Sequence, residues 1–298
     1  MLNSCTLCPR ACKVNRLAGE KGFCMAGSLP SAALACLHHW EEPCLSGSAG
    51  AGTIFFSHCN LRCAFCQNHT ISHEGYGVEV DIPRLAAIFL EQQARGAHNL
   101  DLVTPTHYVP QIVEALSLAR QDGFSLPVVY NSNAYETVAT VGQLAGQVDI
   151  FLPDLKYFNS TYAERYSAAP DYFTHASRAI AKMVEIAGSP VFDASGLMQS
   201  GVIVRHLALP GLSADSRQIL EWLWQTFGND IYISLMNQYT PVYQAGLFRE
   251  INRRLTTWEY EKLIDYALEL GFENCFIQEG RTASVEYIPE FNGEGVRS

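Results

Sequence analysis

The sequence predicts an α/β protein built on a mostly parallel sheet, with a small cysteine-rich appendage ahead of it. Three observations carry that prediction. Short apolar runs at 53–56, 100–104, 127–131, 149–152, 202–207 and 231–235 alternate with stretches of helical periodicity. Strands separated by helices imply right-handed crossovers and parallel pairing, as a doubly wound sheet or an incomplete barrel. Nine of the ten cysteines fall within the first 66 residues, and a flexible stretch, Ser46-Gly47-Ser48-Ala49-Gly50-Ala51-Gly52, precedes the first apolar run.

Residues 1–50 hold too few apolar side chains for a core of their own, so a metal is expected to staple them. The core is expected over 51–245, with 246–298 adding a last helix and strand. Asp81 and Pro83 open a helix whose face is Leu85, Ile88, Phe89 and Gln92, and Gly96 ends it. Ile112, Leu116 and Ala119 repeat the spacing before Gly123. Ser213 is the expected cap of a helix carrying Ile219, Leu220, Leu223 and Trp224. Thr256 and Glu259 have capping-box spacing for a helix holding Leu263, Tyr266, Ala267 and Leu270. In either arrangement of the sheet, ligands belong at the C-terminal ends of the strands.

Composition narrows the function. At 298 residues, 48% hydrophobic and 17% charged, the chain buries a sizeable core. A net charge of -10 lacks the basic footprint of a nucleic-acid binder. No apolar run reaches the ~18 residues of a membrane span, and residues 1–10 lack the apolar centre of a secretion signal. The expectation is a cytoplasmic protein without membrane contact, in which thiols stay reduced and clustered cysteines hold metal.

After the first apolar run come Cys59, Cys63 and Cys66, spaced C-x3-C-x2-C in one loop at a strand's C-terminal end. Thiolates this close can converge on one soft metal centre. Three protein ligands on a [4Fe–4S] cluster leave one iron open. The alternative is a zinc site that takes His58 or His69 as its fourth ligand. Earlier in the chain, Cys5, Cys8, Cys12 and Cys24 have the mixed short and long spacings of a structural metal site, and zinc and a second iron–sulfur cluster are both open there. Cys36, Cys44 and Cys275 read as buried small residues, with Cys36 or Cys44 an alternative member of the tetrad.

The run Cys59-x3-Cys63-x-Phe65-Cys66 resembles the signature of the radical S-adenosylmethionine (SAM) superfamily, and within it the pyruvate formate-lyase activating enzyme-like proteins. The similarity extends over Cys5-Thr6-Leu7-Cys8-Pro9-Arg10, Phe55-Phe56-Ser57-His58, Cys66-Gln67-Asn68, Val103-Thr104-Pro105-Thr106-His107, Asp154-Leu155-Lys156-Tyr157 and Arg205-His206-Leu207-Ala208-Leu209-Pro210-Gly211. The resemblance implies an incomplete (β/α)6 TIM-type barrel. It implies a [4Fe–4S] cluster on Cys59, Cys63 and Cys66, with SAM on the fourth iron. A donor such as a flavodoxin or ferredoxin would reduce the cluster, SAM would be cleaved, and a 5′-deoxyadenosyl radical would abstract hydrogen from a substrate. Radical abstraction requires no base, so no catalytic side chain is expected.

Further residues follow from the same resemblance. Phe65 would lie near the adenine. Thr104-Pro105-Thr106 stands where activating enzymes have a Gly-Gly-Glu-type segment, and Thr104 and Thr106 would take over contact with the SAM amino group. Asn131 and Ser132 would help position the SAM carboxylate. Asp154 and Lys156 match an Asp-x-Lys pair and would hold the ribose or a cation and the carboxylate, the alternative being a surface ion pair. Arg205 and His206 interrupt an apolar strand, so at least one must face a polar cavity, and His206 joins the cofactor set; a satisfied core histidine is its other reading. His107 reads as a loop residue. Asn237-Gln238-Tyr239 and Gln278-Glu279-Gly280 follow the late strands and are expected at the substrate end.

Two enzyme readings result: activation of a protein partner that presents a flexible glycine loop, or radical modification of another protein or small molecule. A zinc-stabilised binding module is the reading from a different class.

Overall fold

The computed structural model describes residues 1–278 and 289–297, so Glu279 and Gly280 lie outside the described residues. The strands are β1 (Ser31–His38), β2 (Ala51–Phe56), β3 (Val78–Glu79), β4 (Leu100–Val103), β5 (Val128–Ser132), β6 (Ile150–Pro153), β7 (Val191–Phe192), β8 (Met198–Leu207), β9 (Tyr232–Met236) and β10 (Cys275–Ile277). The helices are α1 (Pro43–Ser46), α2 (His69–Ser72), α3 (Ile82–Ala94), α4 (Val109–Gln121), α5 (Val138–Gly142), α6 (Ser160–Ser167), α7 (Tyr172–Ala187), α8 (Ser213–Phe227) and α9 (Thr257–Leu270).

The sheet order is β3-β1-β2-β4-β5-β6-β8-β9-β10, with β7 pairing to β8 off that path. From β2 to β10 every neighbouring pair on the path is parallel, and β1 is antiparallel to both β2 and β3. β3 and β10 stand at the two ends, so the barrel is incomplete. Parallel strands of this kind need crossover connections, and the helices between them cover the outer face.

Alternation along the strands separates the two faces. Val128, Tyr130, Phe151, Val202 and Val204 point out, into a core shared with α3, α4, α7, α8 and α9. Val129, Ile150, Leu152 and Ile203 point in, and meet Cys44 and Leu45 of α1. The short α1 therefore plugs the bottom of the barrel. Above this apolar floor the inward positions turn polar, with Asp101 on β4, Asn131 on β5 and Arg205 on β8.

The local signals for α3 and α9 are met. The Asp81 side chain accepts from the Arg84 N–H at 2.8 Å, and Thr256 and Glu259 form the capping box. Ser213 is not a cap: it is the first residue of α8, after Leu212, whose side chain makes no capping bond. The boundary expected at residue 50 also differs. β1 lies inside the first 50 residues and pairs with β2 along Ala32–His38, so only the segment before it stands apart from the sheet. The alanine-rich run Ser31-Ala32-Ala33-Leu34-Ala35 has neither β-branched residues nor alternation, which is why it carries no strand signal.

Candidate active site

The loop after β2 places its three thiols against the mouth of the barrel. Each sulfur meets a side-chain hydrogen-bonding partner. Asn133 Nδ2 donates to Cys59 Sγ at 3.3 Å, Ser167 Oγ donates to Cys63 Sγ at 3.1 Å, and Cys66 Sγ lies 3.1 Å from Ser72 Oγ. The Leu61 N–H also reaches Cys59 Sγ at 3.4 Å. Burial pushes the Cys59 thiol up to about 11 and the Cys66 thiol up to about 12, and raises Cys63 as well. Lys156 opposes that rise at Cys59 and Cys63 by favouring the thiolate. Without metal the three are neutral thiols at pH 7; a coordinated thiol is deprotonated outright.

Beside them opens a cavity of about 370 Å³, within the usual range for small-molecule sites. Its walls are strand ends: Phe55 of β2, Val103 of β4, Asn131 of β5, Asp154 just past β6, Leu207 of β8 and Met236 of β9. Phe65 lines it too, edge-on to Tyr239 at 5.6 Å between ring centroids. Three non-glycine residues in the surrounding loops, His58 (φ 74°), Thr104 (φ 59°) and Ala134 (φ 58°), have left-handed backbones. Such strain persists where the surroundings hold it, and functional sites are common places for it.

The floor of the cavity is a charged network. Lys156 Nζ donates to Asp154 Oδ2 at 2.7 Å and Arg205 Nε to Asp154 Oδ1 at 3.0 Å. Arg205 also reaches Asn131 Oδ1 at 2.5 Å and Glu41 Oε2 at 3.1 Å. Burial alone would raise Asp154, but Lys156 and Arg205 bring it below the usual carboxylate range. Glu41 goes the other way: its burial outweighs Arg205, and its carboxyl is raised. Asp101, beneath them, is raised well above its ordinary value by burial and by Glu41.

Asp154 and Lys156 thus face the cavity together as a buried pair rather than a surface one, with side-chain exposures of 17% and 16%. Of the neighbours Arg205 and His206 on β8, Arg205 faces in. His206 faces the helices, where Nδ1 contacts the Leu155 carbonyl at 2.7 Å and Nε2 the Ser216 hydroxyl at 2.9 Å. Both nitrogens are used, so His206 is a satisfied core histidine outside the cavity, a correction to its place among the cofactor residues. Thr106 is also turned away, donating to Glu136 Oε1 at 2.7 Å behind the strands. The Ser132 hydroxyl accepts from the Ala134 N–H at 3.2 Å and shapes its own loop. Thr104 N–H ties β4 to the Asn131 carbonyl at 2.9 Å, and its side chain is half-buried. Gln238 and Gln278 line the cavity from the late strands. Sequence reasoning missed Glu41, Ser167 and Ser72. Glu41 follows a strand that gave no signal, and nothing local marks a serine that will meet a sulfur from another element.

The N-terminal cysteines gather separately. Cys5, Cys8, Cys12 and Cys24 line a cavity of about 20 Å³ together with Arg16 and His107. The Phe23 N–H donates to Cys12 Sγ at 3.3 Å, and the backbone of Arg10 and of Ala26 serves Cys8 and Cys24. A Cβ on Gly22 would stand 2.9 Å from Cys12 Sγ, so only glycine lets the chain pass there. The segment is fixed to the barrel by Arg16, which donates to the His107 carbonyl at 2.6 Å and to the Gly27 carbonyl at 2.8 Å. Two arginines join it to the active loop. Arg10 Nε donates to the Asn60 carbonyl at 3.0 Å; Arg62 reaches the Phe23 carbonyl at 2.5 Å and the Cys59 carbonyl at 2.8 Å. Their guanidinium groups sandwich the Phe23 ring at 3.8 and 4.6 Å.

Among the described residues, no three Cys, His, Asp or Glu side chains already meet at the position of a single ion. A multi-iron cluster does not need its three loop thiols to meet there. The soft sulfur donors, their hydrogen bonds and the adjoining cavity fit a [4Fe–4S] group held by Cys59, Cys63 and Cys66.

No protein-family model matches the chain. It is 32% identical over 277 residues to the uncharacterized protein MJ0674 of Methanocaldococcus jannaschii, covering 90% of this chain and 75% of that one. Among solved structures it is similar to HydG, a maturase of the [FeFe]-hydrogenase, with a TM-score of 0.50, 15% identity, and coverage of 74% of this chain and 50% of that chain. A domain of the pyruvate-formate lyase-activating enzyme from Bacteroides vulgatus ATCC 8482 matches with a TM-score of 0.42 and 14% identity, over 58% of this chain and 92% of that domain. At such identities the likeness is one of fold. In motif and in fold the chain is similar to radical SAM enzymes.

Proposed function

Starting from a chain that belongs to the family of Methanocaldococcus jannaschii protein MJ0674, we propose that this one is a radical SAM enzyme. The observation that carries the reading is the open three-thiol loop: Cys59, Cys63 and Cys66 with donors on their sulfurs, beside a cavity of about 370 Å³ at the strand ends. Cys59, Cys63 and Cys66 would hold a [4Fe–4S] cluster, which when bound supplies the electron that cleaves SAM to methionine and the 5′-deoxyadenosyl radical.

The protein's part is orientation, charge and dryness. Lys156 and Arg205 offer positive charge to a carboxylate, and Asp154 keeps both buried cations satisfied. Asn131 and Glu41 offer oxygen acceptors from the same floor. Phe65 supplies a ring face, and Phe55, Val103, Leu207 and Met236 line the mouth with apolar surface that keeps water from a reactive site. A buried Asn133 amide and Ser167 hydroxyl stabilise thiolate charge on Cys59 and Cys63. The electron would come from a low-potential flavodoxin or ferredoxin in a reducing, cytoplasmic compartment.

Anaerobic reconstitution tests this. We expect a brown protein carrying about four irons at the loop site, and 5′-deoxyadenosine when SAM and a reductant are added. A protein that stays colourless, or a cluster that never yields 5′-deoxyadenosine, overturns the reading. Activation of a glycyl-radical partner is the finer form of it and rests on the resemblance alone. Its test is a glycyl doublet in the EPR spectrum when reduced enzyme and SAM meet a partner with an exposed glycine loop; modification of another substrate would leave that signal absent.

A further inference from the structure

The small N-terminal cavity contains a donor that its sequence neighbourhood does not announce. His107 follows β4, far along the chain from the cysteines, yet it lines the same cavity as Cys5, Cys8, Cys12 and Cys24. The residue is 1% exposed. Its Nε2 lies 2.8 Å from the Ser57 carbonyl oxygen, which can only accept. Nε2 therefore carries the hydrogen, and the lone pair is on Nδ1. That Nδ1 is fully buried and has no hydrogen-bond partner among the described residues. A buried acceptor left this way is destabilising unless something binds it. A metal-bound imidazole has this arrangement, one ring nitrogen on the ion and the other N–H donated to a backbone carbonyl.

We propose that a single zinc-type ion draws together Nδ1 of His107 and the thiolates of Cys5, Cys8 and Cys24, which line one cavity without meeting at a single point in this structure. A cavity of about 20 Å³ suits one ion. Three thiolates and one imidazole are a tetrahedral set that zinc takes in structural sites. Cys8 and Cys24 are served by backbone N–H groups two residues on, from Arg10 and Ala26, as ligating sulfurs are. Cys12 is the exposed member and sits at the rim, leaving it as the displaced fifth donor. Three thiolates on a dication leave one negative charge, and the buried Arg16 guanidinium lies in the same wall to offset it. The ion would then tie the N-terminal segment to Ser57, two residues before Cys59, through one imidazole.

The test does not depend on the loop site. The full-length chain with Cys59, Cys63 and Cys66 all changed to Ala is purified anaerobically, its metals are counted, and zinc X-ray absorption is recorded. We expect about one zinc per chain with three sulfur ligands and one nitrogen ligand. Four sulfurs without nitrogen, an iron–sulfur spectrum, or a chain without metal overturns the proposal. In the otherwise unaltered chain, His107→Gln should lose zinc to a chelator at least ~10-fold more readily, while Cys12→Ser keeps it as the unaltered protein does. Should His107→Gln fail to fold, the ligand count on the histidine-containing chain decides alone.

Discussion

The loop cysteines and the N-terminal cysteines use the same local device to opposite ends. In both, sulfurs receive hydrogen bonds from turns and side chains, as Cys59 does from Leu61 and Asn133 and Cys12 does from Phe23. They differ in the space they enclose. The loop set looks out on about 370 Å³ and the N-terminal set closes on about 20 Å³. A metal in the first place has somewhere to admit a ligand, and a metal in the second does not. The cavity, more than the ligand type, separates a site for chemistry from a site that holds a chain in place. The two are also physically joined through Arg10, Phe23 and Arg62, so each bears on the other's geometry.

The sharpest way to break the comparison is to remove one sulfur from each side. Cys63→Ala deletes a ligand from the open site, and SAM cleavage should fall below detection while the thermal unfolding midpoint of the metal-free chain moves little. A variant that still makes 5′-deoxyadenosine at even ~1% of the normal rate would contradict a three-thiolate site. Asp154→Asn acts on the floor next to it. Lys156 would lose its ion-pair partner while Arg205 kept Glu41, with Glu42 and Asp101 also near it, and the cost of an unpaired buried cation is about 3–5 kcal/mol. Denaturant unfolding should show a loss near the lower figure, because Glu41 persists, and equilibrium dialysis should show SAM binding weakened by at least ~10-fold. Unchanged unfolding would mean that the network is wet rather than buried.

Much of the open site was legible in the sequence, because its ligands are neighbours in one loop and their spacing is itself the signal. The pair Asp154 and Lys156 was legible too, since residues two apart at a strand end point the same way. Arg205 against His206 was not. In a parallel strand covered on both faces, Val202, Ile203 and Val204 are all apolar, and no alternation says which polar neighbour faces in. The resemblance puts Thr106 and Ser132 at the cofactor, and the structure turns both into loop hydrogen bonds. β1 was invisible for a different reason: its alanines fit between β2 and the C-terminal residues Gly293 and Glu294, which bond to Ala33 and Ala35, and only tertiary contact makes that run a strand. In the sequence His107 reads only as a loop residue, because the fold alone brings it to a cavity lined by cysteines about a hundred residues away.

Phe23→Ala probes the junction between the two sites. The change removes the ring held between Arg10 and Arg62 but leaves every sulfur and every backbone donor in place. Two partly exposed cation–π contacts and some apolar burial sum to about 1–2 kcal/mol. Unfolding should register that loss, with the metal content of both sites unchanged. If loop iron disappeared together with the ring, the junction would be a condition for the open site rather than a strut beside it.

An effect absent at low pH is expected from Glu136, in the loop that serves both regions. That loop gives Asn133 to Cys59 and the Tyr135 carbonyl to Asn60, and the Tyr135 ring lies 5.0 Å from the Arg10 guanidinium. Glu136 anchors it through Thr106, and burial pushes its carboxyl up to about 7. A carboxyl raised on folding binds its proton more tightly in the native state, so it costs nothing at low pH. Stability falls as the pH rises from the unfolded value of about 4.5 to the folded value of about 7, by up to about 3 kcal/mol. Glu136→Gln keeps an oxygen for Thr106 to donate to and cannot ionise. Its unfolding free energy should match the unaltered chain's to within about 1 kcal/mol at pH 5 and exceed it by about 3 kcal/mol at pH 8, the other groups titrating alike in both. Equal stability at both pH values would mean that the carboxyl keeps an ordinary affinity for its proton, and that the wall between the two cysteine sites is more hydrated than its packing implies.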